Sequence, residues 1–205
     1  MIYEIIKRII DIVFGIIGMI LLIPITLVIW CANLFAKDNG PVFFVQERIG
    51  KDGKLYKLYK YRSMVVNADE KLVKYLMEND EANEEYKKYK KLKHDPRITP
   101  IGSFIRKTSI DEFPQFLNVL IGHMSIVGPR PYLPREIEDM GESYNIITKV
   151  KPGLTGLWQV SGRSETTFDD RLRIDEEYIK SRNFILDTKI FLKTILKVFK
   201  KEGAK

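Results

Sequence analysis

Arg106-Lys107-Thr108-Ser109-Ile110-Asp111-Glu112-Phe113-Pro114-Gln115 is the stretch from which the middle of the chain is read. Apolar residues follow it at helical spacing: Phe113, Phe116, Leu117, Leu120 and Ile121, one face of a helix. Gly122 closes the run in the place of a C′ glycine. The helix starts between Ser109 and Glu112. Ser109 with Glu112 three residues on reads as a capping box. Pro114 favours a slightly later start, because proline is tolerated only where its missing N–H would be unpaired anyway. Either start sets Asp111 and Glu112 in or beside the first turn.

That placement has chemical consequences. A helix N-terminus carries free N–H groups and a partial positive charge, which keep carboxylates ionised and attract phosphate. Arg106 and Lys107 add two cations just upstream. Successive helical residues point about 100° apart, so adjacent carboxylates reach different targets. One can attack an electrophile while the other holds a metal ion. Taken alone, the pair reads first as a charged helix start, since acidic residues are enriched there.

The sequence downstream shifts that balance. In Gly128-Pro129-Arg130-Pro131, two prolines fix their own φ and restrict the residues before them. Arg130 is then presented from a stiff loop, which suits a guanidinium gripping phosphate; the plain alternative is a turn with an exposed arginine. Further on comes Lys151-Pro152-Gly153-Leu154-Thr155-Gly156-Leu157-Trp158-Gln159-Val160-Ser161-Gly162-Arg163. Lys151 to Gly153 is a turn, Trp158 and Val160 are packing residues, and Arg163 is a third well-placed cation or else a surface arginine in a turn.

These blocks, together with Asp95-Pro96-Arg97-Ile98-Thr99, resemble the bacterial sugar transferases, the monotopic phosphoglycosyl transferases that act on undecaprenyl phosphate. The resemblance covers nearly the whole chain. It implies that Asp111 attacks the sugar-proximal phosphate of a nucleotide sugar, that Glu112 helps hold Mg²⁺, and that Arg106, Arg130 and Arg163 bind phosphate groups. Lys60 and Arg62 match the family's active-site surround without a definite role.

Composition agrees with an anionic partner. The 205 residues hold one domain plus a membrane segment, and 45% apolar residues with clear periodicity exclude disorder. A net charge of +7 favours nucleic acid, anionic lipid or phosphate-bearing substrates. The single cysteine, Cys31, excludes an intrachain disulfide and fits a cytosol-facing protein. His94 and His123 lie far apart, without the paired spacing of a zinc site. No P-loop, dinucleotide fingerprint or internal repeat is visible.

Residues 12–36 carry no charged side chain. Twenty-five such residues are enough to cross a bilayer, for which about 20 suffice. A cleavable signal peptide fits poorly, because no small-residue cleavage site is evident. Pro24, at the middle of the run, removes a backbone hydrogen bond and kinks a helix. Hydropathy alone favours an ordinary spanning anchor. The resemblance implies a re-entrant segment that breaks at Pro24 and returns to the cytoplasmic side, although Ile23 stands where short family members have serine.

Residues 41–62 read as a hairpin turning at Lys51-Asp52-Gly53. Residues 68–93 read as a charged, solvated helical stretch, and residues 132–150 as helix and loop without a motif. The chain from Phe168 onward is helical. Its lysines 189, 193 and 197 face away from Ile190, Phe191, Ile195, Val198 and Phe199, a pattern shared by an interfacial membrane helix and by a helix packed on its own domain.

The fold expected is α+β, mostly helical with a small β-hairpin or sheet. It has a membrane-embedded re-entrant N-terminal helix (1–36), a cytoplasmic catalytic domain (37–205) and interfacial amphipathic helices. The function implied by the resemblance is transfer of a sugar 1-phosphate from a UDP-sugar to undecaprenyl phosphate, releasing UMP, through a covalent aspartyl-phosphosugar intermediate. The partners expected are those two substrates and anionic membrane lipids, at the cytoplasmic face of the bacterial inner membrane, with no nucleic acid. Galactose or glucose is favoured over an N-acetylated amino sugar, and the oligomeric state is left open. The alternative is a membrane-tethered nucleic-acid-binding protein using the Lys/Tyr strand Lys54 to Arg62; it has no use for Asp111 and Glu112.

Overall fold

The computed structural model describes residues 2–36, 40–161 and 166–200. Helix α1, Ile2–Phe35, opens the chain. An antiparallel hairpin follows, strands β1 (Phe43–Ile49) and β2 (Leu55–Tyr61), with Phe43 opposite Tyr61 and Ile49 opposite Leu55. Its turn falls at Lys51–Gly53, where Asp52 and Gly53 both take positive φ, as a tight reversal requires.

The charged stretch after the hairpin is two helices, α2 (Ala68–Met77) and α3 (Asp80–Tyr89). They separate because Asn79 leaves the helical conformation and its Oδ1 accepts from Ala82 N–H, capping α3. Helices α4 (Pro100–Lys107) and α5 (Gln115–Ile121) flank the Asp111-Glu112 turn. Strand β3 (Ser125–Val127) pairs in parallel with β4 (Gly153–Thr155), the short helices α6 (Ile137–Met140) and α7 (Ser143–Ile147) lying between them in sequence. Helix α8 (Leu157–Ser161) leads to α9 (Phe168–Ser181) and α10 (Phe184–Lys200), two helices where one helical region was expected. The result is the mostly helical α+β architecture with little sheet.

The main core joins elements distant in sequence. Tyr56 and Leu58 of β2, Val119 of α5, Ile126 and Val127 of β3, Tyr178 of α9 and Ile190 of α10 pack together. Helix α10 therefore packs on its own domain through Ile190 and Phe191, while Ile185, Leu192 and Leu196 stay exposed.

Helix α1 is used in two ways. Its first half docks by polar contacts. Arg8 donates to the Val119 and Leu120 carbonyls at the C-terminal end of α5, where a cation is favoured. Buried Asp11 accepts from Ser125 Oγ and Ile126 N–H. Gly15 and Gly18 let α1 lie directly on α5, since a Cβ on Gly18 would meet Phe116 Cγ at 2.1 Å. Beyond Gly18 one side of the helix is exposed and apolar, with Ile20, Ile23, Leu27 and Val28 at least 60% exposed, while Ile29 is buried against Tyr61 and Ile105. α1 is long and apolar enough to cross a membrane. It runs as one helix through Pro24, so the break in the helix expected there is not formed. Just beyond that residue Thr26 Oγ1 donates to the Leu22 carbonyl at 2.7 Å and sits 2.6 Å from Tyr61 Oη of the hairpin.

Candidate active site

Helix α4 delivers the chain to the site. Thr99 caps it, its Oγ1 accepting from Gly102 N–H, and Pro100 occupies the first turn. Gly102 is required by close approach, because a Cβ there would lie 1.9 Å from the Ser63 carbonyl oxygen. After Lys107 the chain reverses at Ser109, which takes φ +57°. The expected Ser109 capping box is not formed, for that reason: a left-handed residue cannot present its hydroxyl as an extended N-cap does. Ile110–Glu112 form a single 3₁₀ turn, and α5 begins later, at Gln115 after Pro114. Asp111 and Glu112 thus precede α5 instead of opening it. Gly122 ends α5 in the left-handed conformation, as expected.

Ile110 and Phe113, on either side of the two carboxylates, pack against Ile29, Tyr61 and Ile105. This anchors the turn, with Asp111 and Glu112 half-buried on it. Glu112 Oε1 accepts from Lys60 Nζ at 3.1 Å, the two side chains 31% and 26% exposed. Lys60, to which the sequence assigned no role, is therefore part of the site. Strand alternation carries a signal for it: Lys60 shares a face with the buried Tyr56 and Leu58, and an inward lysine needs a carboxylate. What holds β2 to α5 is Asn118, fully buried. Its Nδ2 donates to the Lys57 carbonyl and its Oδ1 accepts from Tyr59 N–H, imitating a third strand along the free edge of β2.

The arginines have different settings. Arg106 is half-buried in the last turn of α4 and lies within the field of Asp95. Burial alone would raise the Asp95 carboxyl, but the paired hydrogen bonds and charge of Arg97, with Arg106 adding to them, hold it below the ordinary carboxylate value. Arg62 is structural, donating to the Pro41 and Met64 carbonyls.

Arg130 is held as stiffly as its prolines imply. Its N–H donates to Asp175 Oδ2, and the flanking Gly128 N–H and Pro129 carbonyl bond to Thr155 and Gly153. Its guanidinium lies 3.6 Å from Glu136 and over the Tyr132 ring. Two further arginines crowd this loop. Arg48 donates to the Pro131 carbonyl, and Arg171 lies over Trp158. Both are lowered to about 10, by burial first and then by the charge of Arg130. Fully buried Asp175 is raised to about 7 by burial, against the pull of its bonds from Arg130 and Tyr132. The region behind the loop thus keeps an excess of positive charge. Arg163 lies outside the described residues.

For Mg²⁺ the donor set is slender. Among the described residues no group of three or more His, Cys, Asp or Glu side chains comes together. Glu112 is a partly exposed carboxylate beside a second, Asp111. That fits a cation taking one or two protein carboxylates and the rest of its oxygens from phosphate and water, and does not fit an all-protein cage.

A cavity of about 320 Å³ adjoins the turn, with Ser109 and Glu112 in its wall and mainly apolar side chains from α1, α5, β3, β4, α8 and α10 around it. The Asp111-Glu112 turn, the lysine paired with Glu112 and an apolar chamber lined in part by Glu112 therefore share one place.

Comparison with known proteins gives the family. Residues 2–201 match the family model described as bacterial sugar transferase. An undecaprenyl-phosphate galactose phosphotransferase of Salmonella typhimurium is 43% identical over 198 residues, 97% of this chain and 41% of the relative. A UDP-glucose:undecaprenyl-phosphate glucose-1-phosphate transferase of Klebsiella pneumoniae is 41% identical over 206 residues, again 97% and 41%. The exopolysaccharide production protein ExoY of Sinorhizobium fredii is 38% identical over 198 residues, covering 97% of this chain and 87% of its own length. The chain spans about two fifths of the length of the first two relatives. With nearly every residue inside the match, the chain belongs to the bacterial sugar transferase family.

Proposed function

We propose that the protein transfers a sugar 1-phosphate from a UDP-sugar to undecaprenyl phosphate, releasing UMP, in the assembly of a surface polysaccharide. The observation that carries this reading is the Asp111-Glu112 turn, fixed beside Lys60 at the wall of an apolar chamber, in a chain matched by the family model from residue 2 to residue 201. The names of the Salmonella and Klebsiella relatives state the same class of acceptor.

The chemistry runs in two displacements. An Asp111 carboxylate oxygen attacks the sugar-proximal phosphorus. A P–O bond forms, the bond from that phosphorus to the bridging oxygen breaks, and UMP leaves with the bridging oxygen and its electron pair. A phosphate oxygen of the polyprenyl acceptor then attacks the same phosphorus and displaces Asp111, regenerating the carboxylate and leaving a diphosphate-linked sugar. Such displacements depend chiefly on positioning and charge neutralisation. Glu112, oriented by Lys60, would hold Mg²⁺ together with donor phosphate oxygens. The ion supplies Lewis-acid neutralisation of the diphosphate. Arg106, Arg130 and Arg163 are the phosphate grips; the excess positive charge of Arg48, Arg130 and Arg171 supports that role for the Gly-Pro-Arg-Pro loop.

The same reading sets the protein on the cytoplasmic face of the bacterial inner membrane, where the acceptor head group and nucleotide sugars meet. Residues 12–36 enter the bilayer and return to the cytoplasmic side with α1 bending at Pro24 and not breaking there, and the exposed apolar strip of α10 lies at the interface among anionic lipids. Galactose and glucose are the favoured sugars. The test is purified protein with undecaprenyl phosphate, Mg²⁺ and a UDP-sugar panel. UMP release that requires both substrates supports the reading, and no release with any donor overturns it.

A further inference from the structure

We propose that the chamber between α1, α10 and the Ser109–Glu112 turn is the slot for the acceptor's polyprenyl chain, taking the isoprenoid units next to the phosphate. The assignment rests on the transferase reading and adds the route by which the lipid reaches the reactive carboxylates.

Four features identify the occupant. The first is shape. One side is built by Phe14, Ile17, Gly18 and Leu21, at i, i+3, i+4 and i+7 along α1; the other includes Phe191 and Val198 of α10. Each set covers seven residues of rise, about 10 Å, so the chamber is flanked by two helices over a length suited to a linear chain. The second is volume: about 320 Å³, inside the range of about 300–1,000 Å³ typical of small-molecule sites. An apolar space of this kind gains from an apolar occupant, since water finds few polar partners there.

The third is polarity at the wall. Glu112 and Ser109 contribute to it, Lys60 is hydrogen-bonded to that Glu112, and Lys197 lines it as well. An amphiphile with a phosphate head and an apolar tail matches such a lining. The fourth is access. Ile17, Leu21 and Val198 each line the chamber and remain between 44% and 47% exposed, so the rim opens along the exposed apolar side of α1 and α10. A lipid can enter sideways from a bilayer without its tail crossing water.

The other large apolar groove on α1 lacks the third feature. It lies along Ile16, Ile20, Ile23 and Leu27, offset by two residues from the first set and hence on a different face. None of its lining residues is charged. A phosphate attached to a chain in that groove would have no charged wall and no contact with Glu112. Gly18 makes the chosen slot available: its missing side chain lets α1 settle on Phe116, which also lines the chamber.

The direct test uses wild-type protein and undecaprenyl phosphate carrying a diazirine on the isoprene nearest the phosphate. Crosslinks are mapped by peptide mass spectrometry in competition with unlabelled lipid. Competed crosslinks on Phe14, Ile17 or Leu21 and on Phe191 or Val198 are expected. Crosslinks confined to the Ile20, Ile23 and Leu27 face, or none that unlabelled lipid competes, overturn the slot. The kinetic test is Val198→Trp, at an exposed rim position whose replacement spares the core. KM for undecaprenyl phosphate should rise at least tenfold, while covalent labelling of the enzyme by UDP-sugar alone keeps its rate; an unchanged acceptor KM overturns the slot. If wild-type protein neither labels nor releases UMP, the transferase reading fails instead, and the crosslinking result still decides what occupies the chamber.

Discussion

Asn118→Ala removes the side chain that ties the hairpin to α5, and its cost can be worked from the contacts. The side chain is fully buried and serves two backbone groups, the Lys57 carbonyl and Tyr59 N–H. Alanine leaves both without that partner, and each unsatisfied buried group costs about 1–3 kcal/mol. Relaxation and water entry recover part of this, so the net loss is about 2–5 kcal/mol. For a chain of this size that lowers the unfolding midpoint by roughly 4–20 °C, at about 2–4 °C per kcal/mol. Asn118→Asp separates the two bonds: it keeps the acceptor for Tyr59 and turns a carboxylate oxygen toward the Lys57 carbonyl. Thermal unfolding of both variants in one detergent is the assay. Because Lys60 follows on the same strand, UMP release at permissive temperature should also fall, by about tenfold or more as the lysine loses its register with Glu112. A loss under about 1 kcal/mol for Asn118→Ala, or wild-type stability in Asn118→Asp, would refute the lock.

Three further outcomes are expected. The Asp175 carboxyl is raised to about 7 by burial, so the folded state keeps a proton that the unfolded chain has released. The stability this contributes is complete below the unfolded pKa near 3.8 and is lost as pH rises through about 7, with a slope of at most about 1.4 kcal/mol per pH unit. Asp175→Asn should flatten that part of a stability-versus-pH curve measured by denaturant unfolding, and an unchanged slope would show that the carboxyl is ionised throughout. Lys60→Met should change stability by less than about 1 kcal/mol, as for a partly exposed pair, yet reduce turnover about tenfold or more; equal turnover would leave the pair a surface contact. Single cysteines at positions 3 and 36 in a Cys31→Ser background should both be shielded from an impermeant label in intact cells and exposed in opened ones. Labelling of position 3 in intact cells would mean a spanning helix, and Pro24→Ala should shift the protein toward that state.

The parts of this fold that were legible in the sequence are those decided locally. The hairpin follows from alternation and the Lys51-Asp52-Gly53 turn. The end of α5 follows from Gly122, and its late start from Pro114. The Ser109 cap misled because a capping box is a local pattern, and the left-handed backbone that Ser109 takes between α4 and the Ile110–Glu112 turn removes it. The breaks between α2 and α3 and between α9 and α10 fall at single asparagine-bearing turns, Asn79 and Asn183, which charge periodicity does not resolve. Near the candidate site, residue types and prolines show only that Asp111 and Glu112 lie beside a helix start and that the Arg130 loop is stiff; the roles given to them came from the resemblance. The Lys60–Glu112 pair joins residues 52 apart, Asn118 reaches back to Lys57 and Tyr59, and Asp175 meets the Arg130 loop across 45 residues. Such pairings appear only when a tertiary fold brings distant strands and helices together.

The central claim is that Asp111 forms a covalent bond to the transferred phosphosugar. Intact-protein mass spectrometry after incubation with UDP-galactose or UDP-glucose and Mg²⁺, without acceptor, tests it directly. The expected result is a mass gain of one hexose phosphate on wild type, localised to Asp111, discharged by undecaprenyl phosphate and absent from Asp111→Asn. An Asp111→Asn protein that still takes up the phosphosugar, or turns over at near the wild-type rate, would contradict it.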